Sequence, residues 1–168
     1  PEWPGQERPQ QVHLDLLVDG IEDAAARAEA LGATRIGKGE SWITLADPAG
    51  HPFDLCQKDG LGQETGLFAI TFDTDDAGGL ARFYADLLGR AVTWEGDEGA
   101  MVSGDGKARL FQPVEGYNRP AWPDPSRPQQ GHLDIRVDDA DAGETLALRL
   151  GATRLDISGA NFALEWNW

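Results

Sequence analysis

Cysteine is nearly absent from this chain: Cys56 is the only one in 168 residues. No intrachain disulfide framework can form, and a reducing compartment, the cytoplasm, is the expected location. Basic residues are scarce as well, with 14 Lys and Arg against 29 Asp and Glu and a formal net charge of −15. Nucleic acid and anionic lipid surfaces both call for a basic face, so neither is an expected partner. No apolar run reaches the ~18 residues of a membrane helix. The opening Pro1-Glu2-Trp3-Pro4-Gly5 also lacks the basic-then-apolar order of a secretory leader. There is no G-x-S-x-G elbow, phosphate-binding loop or dinucleotide fingerprint. What remains is a chain with 40% hydrophobic residues and six tryptophans, enough to fill a core.

Its main feature is an internal repeat at an offset of 119 residues. The stretch from Trp3 to Ile36 (WPGQERPQQVHLDLLVDGIEDAAARAEALGATRI) aligns without a gap to Trp122–Leu155 (WPDPSRPQQGHLDIRVDDADAGETLALRLGATRL), with 17 of 34 positions identical. Each copy opens with a Pro-rich arm, continues as a strand (His13–Val18, His132–Val137) and then turns into a helix. In the second copy Leu133, Ile135 and Val137 alternate with polar residues, the mark of a strand with one buried face. Asp19 and Glu22 have the spacing of a capping box, and Ile21, Ala24, Ala25, Ala28 and Leu31 trace one helical face. Gly32 and Gly151 stand where a helix stops in the left-handed region.

Three strands follow the first helix, at Thr34–Gly37, Ser41–Ala46 and Phe53–Gln57, punctuated by Gly39 and the Asp47-Pro48-Ala49-Gly50 turn. Between the copies lies a different unit with the same order. It has a strand over Leu67–Asp73, a helix over Asp76–Gly89 with Leu80, Phe83, Tyr84, Leu87 and Leu88 on its apolar face, and strands at Ala91–Glu95, Ala100–Ser103 and Ala108–Pro113. The chain is thus three β-α-β-β-β half-modules: Trp3–Gln57, Gly66–Pro113 and Trp122–Trp168. Lys58–Thr65 reads as a linker.

The half-module order, the HLD strand followed by VDD, the GATR helix exit and the ADPAGHPFDLCQ stretch resemble glyoxalase-like domains of the vicinal oxygen chelate superfamily. That superfamily includes glyoxalase I, extradiol dioxygenases and fosfomycin- and bleomycin-resistance proteins. The resemblance implies an α+β fold in which half-modules pair into a cupped barrel. It implies that residues 1–58 are the second half of a domain whose first half is not in this sequence, or comes from another chain. Residues 59–65 are then a linker, and 66–168 a second domain whose last strand is missing. A tandem monomer and a homodimer are both open.

The resemblance also implies where a divalent ion would sit, since the family's enzymes take ligands from the first and last strand of each half-module. Carried over, His13 and His132 fill the first-strand place and Asp54 the last-strand place of the first copy. The middle half offers only Gln112. A lone histidine entering a strand is more often a hydrogen-bonded structural residue than a ligand, which applies to both histidines, and Asp15 and Asp134 read as turn- or cap-supporting residues. Cys56 reads as a small buried filler and His51 as a loop residue. Trp42 and Trp94 are assigned to core packing. Trp3 and Trp122 serve either as a lid over a planar ligand or as staples for their arms, and Phe68, Phe111 and Tyr117 add aromatic surface.

The preferred expectation is a glyoxalase/bleomycin-resistance-like protein that holds a small hydrophobic or aromatic molecule in an apolar cup without metal. Trp3, Trp122, Phe68, Phe111, Tyr117 and His132 would then contact the ligand. The alternative is a metal-dependent lyase, isomerase or dioxygenase with zinc, nickel, iron or manganese on His13 and Asp54. A scaffold or regulatory role for the fold is the third reading.

Overall fold

A computed structural model describes residues 7, 10–62, 64–104, 106–121, 124, 126–127 and 130–155. Two half-modules form one mixed sheet. The first contributes β1 (Val12–Val18), α1 (Ile21–Ala30), β2 (Thr34–Lys38), β3 (Trp42–Ala46) and β4 (Pro52–Gln57). The second contributes β5 (Gly66–Thr74), α2 (Ala77–Leu88), β6 (Ala91–Gly96), β7 (Gly99–Ser103) and β8 (Ala108–Pro113). The strand order β2-β3-β4-β1-β5-β8-β7-β6 is an inverted repeat, with the two halves meeting where β1 runs antiparallel to β5. Within each half the first and last strands are parallel neighbours, β1 with β4 and β5 with β8.

Alternation along the strands decides what each face carries. On β1, Leu16 and Val18 turn towards α1, where Ala24, Ala25, Ile43, Leu45 and Leu55 complete a small core. On β5, Phe72 turns towards α2 and stacks with Phe111 and Tyr84 at centroid distances of 5.9 and 6.0 Å. The innermost places on α2 go to Ala77, Ala81 and Ala85, with Leu80 and Tyr84 packed around them. Small residues there let the helix lie close on the sheet. Leu31, expected on the buried face of α1, is 83% exposed, because the helix ends before it at Ala30.

The capping box expected at Asp19 is not formed. Gly20 caps α1 in the left-handed region at φ 70°, and Ile21 N donates to Gln57 Oε1. Asp19 Oδ2 instead accepts from Gly60 N and Gly62 N at 2.9 and 3.2 Å, tying the linker to the end of β1. In α2 and α3 (Ala140–Arg149) an acid does cap the helix: Asp76 accepts from Gly79 N and Asp139 from Ala142 N.

The pairing of half-modules departs from the expectation that the second would join the third. The strand expected at His132–Val137 does not form, and Ile135 and Val137 are 37% and 49% exposed. The first copy holds the β5 edge through Val12, His13, Leu14, Asp15, Leu16 and Leu17. At the same places the third copy carries Gly131 for Val12 and Arg136 for Leu17, a poorer strand edge on both counts. Gly131 lies beside the Val12 side chain, and Gln130 N donates to Gln11 Oε1, so the approach to the third copy's strand segment lies against the start of β1. No helix among the described residues is long and apolar enough to cross a membrane.

Candidate functional site

The face opposite the helices is concave and bounds a cavity of about 870 Å³. Its floor comes from the seam strands. His13 and Asp15 on β1 alternate with leucines, so the periodicity that sends Leu16 to the core sends both polar side chains into the cup. Asp54 on β4 and Thr71 on β5 join them, with Thr44, Cys56, Leu110 and Gln112 beside. Trp42 and Trp94 stand at the two flanks, 42% and 43% exposed.

The floor is tightly organised around one histidine. His13 Nε2 lies 3.6 Å from Asp15 Oδ1 and 3.8 Å from Asp54 Oδ2. These spacings are too long for hydrogen bonds, and one ligand atom from each residue lies within 4.8 Å of the other two. Thr71 Oγ1 donates to Asp15 Oδ2, so the antiparallel seam itself steadies that carboxylate. Burial, opposed by the Thr71 hydrogen bond and the nearby His13, raises the Asp15 pKa, and Asp54 adds to the rise.

The other ring nitrogen, His13 Nδ1, is 2.6 Å from Gln10 Nε2, while Gln10 Oε1 is buried without a partner. A half-turn of this amide exchanges its oxygen and nitrogen, and the buried atom without a partner is then the amide nitrogen. Oε1 then accepts from Nδ1–H, and Nε2 is left with a bare lone pair directed at the carboxylates, the arrangement of a metal-ligating imidazole. Asp54 Oδ1 and Thr44 Oγ1 are also buried and unpartnered in the same cavity.

The donor set suits a divalent cation. Imidazole nitrogen and carboxylate oxygen at about 2.1 Å from one centre lie about 3.4 Å apart in a tetrahedral site. His13 Nε2 stands near that spacing from both carboxylates, at 3.6 and 3.8 Å, and the three ligand atoms lie within 4.8 Å of one another. Cys56 is an inert neighbour: burial, with Asp15 and Asp54 nearby, pushes its thiol up to about 12.

The family model for the glyoxalase-like domain matches residues 1–56 and 69–163 of the sequence. The chain belongs to the glyoxalase-like family. Among solved structures, a variant of glyoxalase I from Zea mays superposes on this glyoxalase-like chain with a TM-score of 0.51. Identity is 18%, over 64% of this chain and 44% of the maize enzyme. This chain thus spans less than half the length of that enzyme. A glyoxalase/bleomycin resistance protein/dioxygenase superfamily member from Vibrio splendidus gives 0.44 at 16% identity, covering 62% of this chain and 98% of its own. A homoprotocatechuate 2,3-dioxygenase variant from B. fuscum gives 0.39 at 21%, covering 67% and 34%. At these identities the likeness concerns the fold, which is the vicinal oxygen chelate fold expected. No curated protein sequence matches.

The residues singled out from the sequence fall in several places. His13 and Asp54 meet in the cup, and Asp15, read from the sequence as a turn- or cap-supporting residue, joins them and bonds to Thr71 of β5. Phe111 is 1% exposed, a core residue with one edge on the cavity. Phe68 is half-buried at the irregularity in the β1–β5 ladder and does not line the cup. Tyr117 is half-buried after β8; burial raises its pKa, and Asp73 and Asp75 raise it further. His132 is exposed beside Asp134 at 3.4 Å, outside the cavity. Trp3 and Trp122 lie outside the described residues.

Two expectations need correction. The cup is polar and acidic at its floor rather than apolar, because the alternating apolar positions of β1 and β5 face the helices. Trp42 and Trp94 belong to the cup and not to the core. Their sequence signal was a glycine close by, Gly39 and Gly96, on which each indole rests.

Proposed function

We propose that the cup is a divalent-metal site with an organic ligand above it, and that the chain acts as a metal-dependent lyase, isomerase or dioxygenase. The observation that carries this is the convergence of His13, Asp15 and Asp54 on one buried point. An ion there would supply Lewis acidity towards a substrate carbonyl or enediolate oxygen. His13 and Asp54 would hold it from adjacent parallel strands of one half-module. Asp15 would hold it while anchored through Thr71 to the other half, and Gln10 would fix the imidazole tautomer. Gln112 offers a neutral oxygen from β8 on the opposite side of the cup.

The metal-free reading retains support in the cavity itself. Its volume of about 870 Å³ lies within the range of small-molecule sites, and two tryptophans flank it. The division into residues 1–58, a linker 59–65 and 66–168 also stands as a proposal. The two family matches, 1–56 and 69–163, support it as a division of sequence, although the sheet joins the first two half-modules across that linker.

Metal content separates the two functional readings. The protein, stripped with chelator and dialysed, is titrated with zinc, nickel, manganese and ferrous ions and analysed by calorimetry and plasma mass spectrometry. One ion per chain, lost in His13→Ala and weakened in Asp54→Asn, is expected. Absence of stoichiometric binding by any of the four would overturn the metal reading and leave the binding protein.

A further inference from the structure

The repeat gives this chain two segments that match one strand edge. Residues 12–17 of β1 pair with β5, and residues 131–136 are their counterparts in the third copy. The two segments share His13-Leu14-Asp15 and His132-Leu133-Asp134 at the same places, and Ile135 stands for Leu16. Only Gly131 for Val12 and Arg136 for Leu17 change the character of the edge. The third copy is also built locally like the first. Asp139 caps α3, and Val137, the counterpart of Val18, lies on that helix, since a Cβ at Gly143 would fall 3.1 Å from its side chain. Ile135 and Val137 nonetheless stay exposed, and residues 131–137 form no strand.

Counterparts in the two copies already touch. Gln130 N donates to Oε1 of Gln11, the residue it corresponds to in the repeat. Gly131 lies against the side chain of Val12, to which it corresponds in turn. Val12 is itself the Cα partner of Phe72 on β5. The third segment is thus held at its start beside the strand whose place it matches.

The seam that β1 makes with β5 has no shared apolar core. Every residue of one apolar cluster, from Leu16 to Leu55, belongs to the first half-module, and every residue of the other, from Phe72 to Phe111, to the second. What joins the halves is the β1–β5 ladder, the bond from Asp73 N to Gln11 O and the bond from Thr71 to Asp15. Hydrogen bonds are worth little net of the water they displace, and a second segment carries the same donors and acceptors.

We propose that the β5 edge is a docking edge for both copies of the repeat, and that residues 131–136 take it within the same chain when β1 leaves. Leu133 then stands opposite Ile70, and Thr71 Oγ1 donates to Asp134 in place of Asp15. His132 and Asp134 enter the cup, while Asp54 departs on β4, the parallel partner of β1. The convergence of His13, Asp15 and Asp54 exists only with β1 in place. That consequence for an ion rests on the metal reading of the cup; the exchange of strands does not.

Hydrogen exchange of the full chain, read by mass spectrometry in the presence of chelator, tests the exchange apart from any ion. Gly131→Val with Arg136→Leu gives the third copy the edge residues of the first. Amides of 131–137 should then slow by at least about tenfold and those of 12–18 quicken by a similar factor, while 66–74 keep their protection. Val12→Gly with Leu17→Arg should move protection the same way from the other side.

Unchanged exchange of both segments in both variants would overturn the inference. So would loss of protection in 66–74 together with 12–18 while 131–137 stays open, because β5 would then accept β1 alone. A shift seen only at high protein concentration would place the exchange between chains and overturn it as proposed. Uptake of one ion without transfer of protection would sink this inference alone, and transfer without uptake would sink the metal reading alone.

Discussion

Asp73 offers the sharpest quantitative test of the folded structure. It lies on β5 opposite Gln112 of β8, is 3% exposed, and neither carboxylate oxygen has a hydrogen-bond partner among the described residues. Burial pushes its pKa from 3.8 up to about 6, with His13 pulling weakly the other way. A raised carboxyl pKa means that the folded protein holds this proton more tightly than the unfolded chain does. Above pH 6 the native state therefore carries the cost of a buried charge. That cost is relieved as the pH falls from about 6 towards 3.8, where both states are protonated. A difference of about two pH units corresponds to about 3 kcal/mol.

Asp73→Asn keeps the shape and removes the charge. Urea denaturation in the presence of chelator, run from pH 4 to pH 8 on both proteins, isolates this residue because other titrations cancel in the difference. The variant should be more stable by about 2–3 kcal/mol at pH 8, a midpoint shift of about 1–2 M urea, and nearly equal at pH 4. An advantage that is absent at pH 8, or that persists undiminished at pH 4, would refute the assignment of a buried, uncompensated carboxylate.

Two further outcomes follow from local geometry. Gly99 has φ 145°, and a Cβ there would meet the Phe111 carbonyl oxygen at 2.4 Å, so Gly99→Ala should lower the thermal midpoint by about 5–10 °C. A variant with an unchanged midpoint would show that the β7–β8 approach is looser than described. Cys56, with its thiol near 12, should react with iodoacetamide at pH 8 at least ~100-fold more slowly than free cysteine, and normally once unfolded. Comparable rates in the native protein would place the thiol in a wetter, less acidic setting.

Much of this was legible in the sequence because the repeat and the strand periodicity carry it. The β-α-β-β-β order of the first two half-modules and the meeting of His13 with Asp54 follow from residue pattern and resemblance. What was not legible depended on which face of a strand is the wet one. Leu16 and Val18 give one face of β1 to α1, which leaves His13 and Asp15 to the cavity. The same ambiguity hid Trp42 and Trp94, since a tryptophan in a strand reads as core until the strand's position at the cup mouth is known. Asp19 failed as a cap because Gly60 and Gly62, some forty residues on, offer it backbone donors that no local pattern reveals. The third copy's strand was misread for a related reason: its own alternation is sound, but a strand also needs a free edge.

The antiparallel seam between β1 and β5 has a consequence for how binding and folding are linked. His13 and Asp15 stand on one side of it and Thr71 on the other, and the two tryptophans come from opposite halves, so neither half-module owns a site. Whatever fills the cup therefore acts as a clasp. Each increment of affinity is also an increment of cohesion between the halves, and any strain that parts them empties the site. Occupancy and internal assembly are, in this chain, one equilibrium seen from two ends.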